Sequence, residues 1–267
     1  MVSALSLYLR LSWHSIRAQM AYRASFVALA FGNFLVTLAS FIATWLLFRR
    51  FHGIGGWSLA EVAVLYGVVN ISMGLPDMSS SGFEQCGALA RRGDFDRILL
   101  RPRGAALQLL GREFSLRRAG RVVQGLLVLT WGLAHVNAPL DARAIGLLFL
   151  AICGGICVFL GLGLLHAACS FWTLQGLELM VILTFGGAET SEFPVHIYDR
   201  WLQRVFLVFV PIATVSYFPV LSVLRKPDVF QLPQAAHALA PLAGLAFLLV
   251  AVFIWRLAIR RYASTGS

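Results

Sequence analysis

Of the chain's 267 residues, 59% are hydrophobic and 13% charged, the mean hydropathy is +0.78 and the formal net charge is +10. Soluble domains carry about a quarter charged residues, so a surface this poor in charge excludes a water-facing globular enzyme. The positive charge comes from 21 Arg and one Lys against 12 acids. The Arg lie between apolar runs rather than on one soluble face, and so they read as a membrane-topology signal and not as a nucleic-acid surface.

Near the start, Leu5, Leu9, Trp13, Ile16 and Met20 share one helical face, with Arg10 and Arg17 off it. This spacing predicts an interfacial amphipathic helix on the inner leaflet. Arg10, His14 and Arg17 interrupt any apolar core, which excludes a cleavable signal peptide.

A helix needs about 20 apolar residues to cross the hydrocarbon core. Six segments qualify: Phe26 to Phe48, Ala60 to Pro76, Gly120 to Val136, Ala144 to His166, Ser170 to Ala188 and Ala236 to Trp255. Val205 to Leu224 is also uncharged but contains Pro211 and Pro219. Arginine placement decides its status. Arg10, Arg17 and Arg23 precede the first span, Arg256, Arg260 and Arg261 follow the last, and the connection after the second span carries a further basic run from Arg91 to Arg121. Six spans put all of these in the cytoplasm, whereas a seventh would move the last group outside, against the positive-inside rule. The expected architecture is therefore all-α and integral to the membrane, a single domain over residues 1–267 with six spans and both termini cytoplasmic. A re-entrant or interfacial element, broken by its prolines, is expected over Val205 to Leu224.

The longest cytoplasmic stretch, about Asp77 to Ala119, predicts a helix over Glu84 to Arg92, a Gly93-Asp94 break with Asp94 as cap, and a second short helix over Phe95 to Leu100. After Pro102, Leu107, Leu110 and Phe114 give an amphipathic pattern that runs into the third span. A basic helix–Gly–helix element can hold lipid headgroups or dock a soluble partner, and charge alone does not choose between them.

Much chemistry is missing. The single Lys226 lies in Arg-Lys-Pro-Asp, so no P-loop exists and the chain carries no ATP site of its own. No HExxH or GxSxG occurs, the His at 14, 52, 135, 166, 196 and 237 are scattered, and no Ser/His or His/Asp cluster is evident. Cys86, Cys153, Cys157 and Cys169 form no CxxC pair; Cys153, Cys157 and Gly161 instead make a small-residue ridge for helix packing. Glu178 falls near the centre of the fifth span, where a charge is costly, so it faces a transport pathway or hydrogen-bonds a neighbouring helix. Glu61 and Asp77 lie near span ends and mark interfaces.

The run Gly93-Asp94-Phe95-Asp96-Arg97-Ile98-Leu99-Leu100-Arg101-Pro102 resembles the cytoplasmic segment of ABC-2 type transporter permeases, in particular the bacterial group without a fused ATPase. So do Ala21-Tyr22-Arg23-Ala24-Ser25-Phe26, Phe171-Trp172-Thr173 with Glu178, Thr184-Phe185-Gly186-Gly187 with Glu189, Phe193-Pro194, and Pro211 with Tyr217-Phe218-Pro219. Phe193 departs mildly from the family's Tyr. The likeness runs from about residue 15 to 262. It implies a permease subunit in the bacterial inner membrane that pairs with a second permease chain, identical or different. It also implies two separate ATPase subunits that bind ATP and Mg and drive transport, usually outward. Carried onto this sequence, the coupling region is about 79–104, with Phe83, Glu84, Arg91, Arg92, Asp94, Phe95, Asp96, Arg97 and Arg101 meeting the ATPase, and the re-entrant region widens to about 189–224. Phe171, Trp172 and Glu178 are candidates for the substrate pathway. A non-transporting membrane scaffold with the same fold is the competing expectation.

Overall fold

The computed structural model of the chain describes residues 13, 15–17, 19–20, 23–51, 53–101, 103–173 and 175–262. Most of the amphipathic stretch expected at the start lies outside them, but residues 13, 15–17 and 19–20 are helical. Apolar runs satisfy their backbone hydrogen bonds internally as helices, and no strand forms among the described residues beyond one Ile54–Trp57 bridge.

Helix α1 spans Arg23–Phe51 and α2 spans Leu59–Asp77. The start of α2 is fixed by a capping box, in which Ser58 and Glu61 each accept from the other's backbone N–H. Four short helices follow, α3 Ser81–Glu84, α4 Cys86–Arg91, α5 Asp94–Leu99 and α6 Ala105–Arg112. A 3₁₀ turn at Leu116–Arg118 leads into α7, Ala119–His135, and Asp141 caps α8, Ala142–Cys169. The next helical run is α9 Gln175–Val181, a π-helical turn at Ile182–Gly186, and α10 Gly187–Ser191. Beyond a 3₁₀ turn come α11 Arg200–Arg204, a second π-helical turn at Val205–Phe209, α12 Ile212–Val223, α13 Gln234–Leu239 and α14 Leu242–Arg260.

Four of these helices, α1, α2, α8 and α14, are long and apolar enough to cross a bilayer, and the pair Arg200–Phe209 and Ile212–Val223, bent by 94°, would make a fifth. Helix α2 is the hub, buried from Val62 to Gly74 and packed on both α7 and α8, while α14 packs along α8. Gly244 permits that last crossing, since a Cβ there would stand 2.1 Å from the Gly154 carbonyl oxygen. Gly161, the last residue of the small-residue ridge, faces Phe247 and Ala251 at the same interface. Helix α1 is mostly exposed, burying Thr37, Thr44 and Phe48.

Several expected boundaries move. Residues Ser170 to Thr173 form a turn, so the fifth apolar run starts at Gln175 and Glu178 lies in the first turn of α9 rather than at mid-span. Pro241 separates α13 from α14, so the last long helix starts at Leu242 and not at Ala236. Pro211 does mark the bend before α12, whereas Pro219 sits within α12 without ending it. Helix α6 stops at Arg112 instead of running into the third apolar run. The Phe114 N–H and Leu116 N–H donate to Ser15 Oγ and Gln19 Oε1, and the Ser115 N–H donates to the Met78 carbonyl at 2.7 Å. Asp94 is not the cap of α5; Gly93 takes that place at φ +73°, a left-handed conformation that glycine adopts without strain.

The end of the bundle away from the Arg-rich connection is tied by the lone lysine. Lys226 Nζ donates to Glu61 Oε2 at 2.9 Å and to the Gly56 carbonyl at 2.6 Å, and lies 5.2 Å from the centre of the Trp57 ring.

Candidate functional site

The short helices α3 to α6 fold back on the bundle's basic end. Phe83, Cys86, Leu89, Phe95, Ile98 and Leu109 join Leu164, Ala168, Ala251 and Trp255 in one buried cluster. Phe95 is its centre, fully buried, with Phe171 at 5.0 Å, Tyr262 at 5.2 Å and Trp255 at 6.4 Å between ring centroids. Burial also pushes the Cys86 thiol up to about 12, which removes it from thiolate chemistry. Buried Gln108 holds the α5–α6 turn by donating to the Ile98 and Arg103 carbonyls.

Arg118 adds a polar fastening to this apolar one. Arg118 donates from Nη1 to Asp77 Oδ1 at 2.7 Å and Glu84 Oε1 at 2.9 Å, and from Nη2 to Glu84 Oε2 at 3.1 Å. It therefore bridges the end of α2, the end of α3 and the start of α7, and its bidentate grip on Glu84 fixes orientation as well as distance. The Arg118 hydrogen bonds hold the Glu84 carboxyl below its ordinary value, against the opposing effect of burial.

The expected coupling residues divide by exposure. Phe83 and Phe95 face inward and bind the short helices to the bundle, so they offer a partner no surface. Glu84 is half-exposed but held by Arg118. Arg91, Arg92, Arg97 and Arg101 are exposed, and Asp94 and Asp96 are half-buried beside them. Arg97 and Asp94 approach to 3.8 Å at the surface. The outer face of α4 and α5 is thus a basic strip on a rigid apolar base.

Among the described residues two cavities adjoin the π-helical turn, and another, of about 510 Å³, lies at the far end beside Ser222, Asp228 and His237. The inner one, about 370 Å³, is bounded by Met73, Asp77, Phe83, Glu84, Arg118 and His166, with Thr184 and Phe185 on its far wall. The outer one, about 480 Å³, lies between α1, α2, α7 and α10 and is lined by Thr37, Ser40, Thr44, Tyr66, Asn70, Arg121, Glu189 and Glu192, together with Phe185 and Phe193. A buried polar chain backs it. Tyr66 donates to the Thr37 carbonyl at 3.1 Å, Gln124 donates to the Tyr66 hydroxyl at 3.1 Å, and Asn70 donates to Glu192 Oε1 at 2.8 Å. Phe185 borders both cavities.

None of the three pathway candidates lines either cavity. Phe171 packs against Phe95, Trp255 and Tyr262 at the basic end. Trp172 and Glu178 are exposed near the same end. The residues missed are Asn70, Arg121, Glu192 and Arg118. Their signal in the sequence is a polar or charged side chain inside or beside an apolar run, the same ground that makes Glu178 a candidate.

A Ser/His/Asp cluster, absent from the expectations, forms at the far end. His237 sits 3.2 Å from Ser222 Oγ and 3.1 Å from Asp228 Oδ2. Asp228 also accepts the backbone N–H groups of Phe230 and Leu232, and the imidazole stacks on Phe218. With both ring nitrogens and the carboxylate so engaged, the cluster pins α13 to α12.

A family model described as ABC-2 family transporter protein matches residues 34–266. The chain belongs to that family. The match takes in both cavities, the four short helices and every long helix except the beginning of α1. Membership makes this ABC-2 chain a multi-pass membrane protein of a kind that associates with ATPase components. Comparison with curated proteins and with solved structures gave no match.

Proposed function

We propose that this chain is the permease subunit of an ATP-driven exporter, working beside a second permease chain and two separate ATPase subunits that hold ATP and Mg. The observation that carries this reading is the unit of α3 to α6. It presents exposed Arg91, Arg92, Arg97 and Arg101 on an apolar base, and Arg118 links it directly to the end of α2 and the start of α7. A push on such a unit moves two helices of the bundle, whereas a loop without a core would absorb it.

In this reading six helices cross the bilayer. To α1, α2, α8 and α14 are added α7, whose 17 residues lie at the short end of the spanning range of about 17 to 25, and the α9–α10 run. The bent α11–α12 element is re-entrant, with α12 packed against α2 and α8 as irregular backbone at membrane depth requires. The basic end faces the cytoplasm of a bacterial cell, together with both termini. The exposed length of α1 is available to lipid or to the second permease chain.

The test is co-expression with candidate ATPases encoded beside the chain. Co-purification, and ATP-dependent transport in vesicles that disappears without the ATPase, are expected. A chain that purifies alone, and gains no ATP-dependent transport when ATPases are supplied, overturns the proposal in favour of a scaffold.

A further inference from the structure

The outer cavity holds two carboxylates and one guanidinium, and none of the three has an ion-pair partner among the described residues. Glu189 and Glu192 lie within no salt-bridge distance of a basic group, and Arg121 donates to the Met73 sulfur. Glu192 is half-buried and fixed by Asn70, while Glu189 stands one helical turn earlier and is exposed. Of the remaining wall, helix α1 contributes Thr37, Ser40, Thr44 and Leu47 at helical spacing, and the segments flanking α10 contribute Phe185 and Phe193. Among the described residues, Gln124 Oε1 and Ser191 Oγ are buried without a hydrogen-bond partner, and Gln124 is the residue that donates to the Tyr66 hydroxyl.

Charges placed among apolar helices are costly unless something answers them. Here two carboxylates share the cavity with a single guanidinium, with no ion pair of salt-bridge length among them, so the site holds more acidic than basic groups beside an aromatic surface. We infer that the outer cavity binds a lipophilic organic cation, its charge answered by Glu189 and Glu192 and its apolar body lying against Phe185 and Phe193. Aromatic faces add attraction for a desolvated cation. Phe185 also borders the inner cavity, and the π-helical turn that carries it is an irregular segment of a kind that recurs at functional sites. This places Phe185 as the partition that such a cation passes. The inference rests on the transport reading for its physiological meaning, but binding itself does not require the ATPase.

The experiment uses the full chain in nonionic detergent and two ions of matched shape and opposite charge, tetraphenylphosphonium and tetraphenylborate, with saturable binding read by equilibrium dialysis. The cation should bind at least about tenfold more tightly than the anion, the equivalent of about 1.4 kcal/mol. Glu189→Gln should weaken cation binding several-fold, Glu189→Gln with Glu192→Gln should abolish the preference, and Arg121→Gln should sharpen it. Equal or tighter saturable binding of tetraphenylborate overturns the inference. So does unchanged cation binding in Glu189→Gln, an exposed position where loss of folding gives no excuse. If the cation preference holds but no ATPase-dependent transport is found, the site stands and the transport reading fails. If ATP-dependent transport is present and the preference is absent, the site fails alone.

Discussion

Glu61 closes the capping box of its own helix, accepting the Ser58 N–H at 2.7 Å, and with the same oxygen receives Lys226 at 2.9 Å. A single carboxylate oxygen thus joins the start of α2 to the segment that follows α12. Both side chains are only 19% exposed, so the pair is shielded more than a surface ion pair.

Lys226→Ala should therefore destabilise the chain by about 1.5–3 kcal/mol, the usual range for a hydrogen bond to a charged group. Detergent-based unfolding measures it. Lys226→Arg should recover only part, because a planar guanidinium does not fit a contact shaped for a point charge against Gly56, Glu61 and Trp57. Full stability in Lys226→Ala would show the contact to be idle.

The Arg118–Glu84 pair has a pH signature. Glu84 has its folded value below the ordinary 4.5 because Arg118 hydrogen-bonds its charged form. Between the two values the unfolded chain binds more protons, so stability rises with pH there. The contribution is complete above about 4.5 and is lost as pH falls through the lowered folded value. Wild type should exceed Glu84→Gln in unfolding midpoint at neutral pH, by an amount near the surface-pair range of about 0.2–1 kcal/mol. The gap should close on acidification; a gap that widens in acid would contradict the assignment.

Adjacent positions in α5 should separate stability from coupling. Phe95→Ala removes the centre of the aromatic cluster and should cost about 3–5 kcal/mol. Asp94→Ala and Arg97→Ala, at the surface, should change stability by no more than about 0.5 kcal/mol and yet lower ATP-driven transport. Transport at the wild-type rate in the double surface variant would remove this face from coupling.

At the α8–α14 crossing, Gly244→Ala would drive a methyl to 2.1 Å from a backbone oxygen. Neither helix can yield locally, so a loss of about 1–3 kcal/mol is expected from overpacking, read as a lowered unfolding midpoint. Gly32→Ala, at a position with no neighbour within 4 Å, serves as the matched control.

The long apolar runs and the Gly93 break were legible because each depends on local composition and backbone freedom. The fifth run was misjudged for a physical reason. It begins after a turn at Ser170 to Thr173, and a shift of a few residues carries a charge such as Glu178 from mid-span to a helix end. Arg118 could not be singled out among so many arginines, since its partners Asp77 and Glu84 lie on other elements. Glu192 gained its meaning only when the chain folded it against Asn70 of α2.

Helix α1 has 29 residues, a length of about 43 Å at 1.5 Å per residue, against a hydrocarbon core of about 30 Å. It must tilt or emerge from the bilayer, and its exposed flank leaves it free to do either. Helix α2, enclosed by its neighbours, is screened from lipid. Bilayer thickness therefore acts on the helix that forms one wall of the outer cavity while sparing the helix opposite, so the lipid composition of the host membrane becomes a variable that sets the width of that cavity.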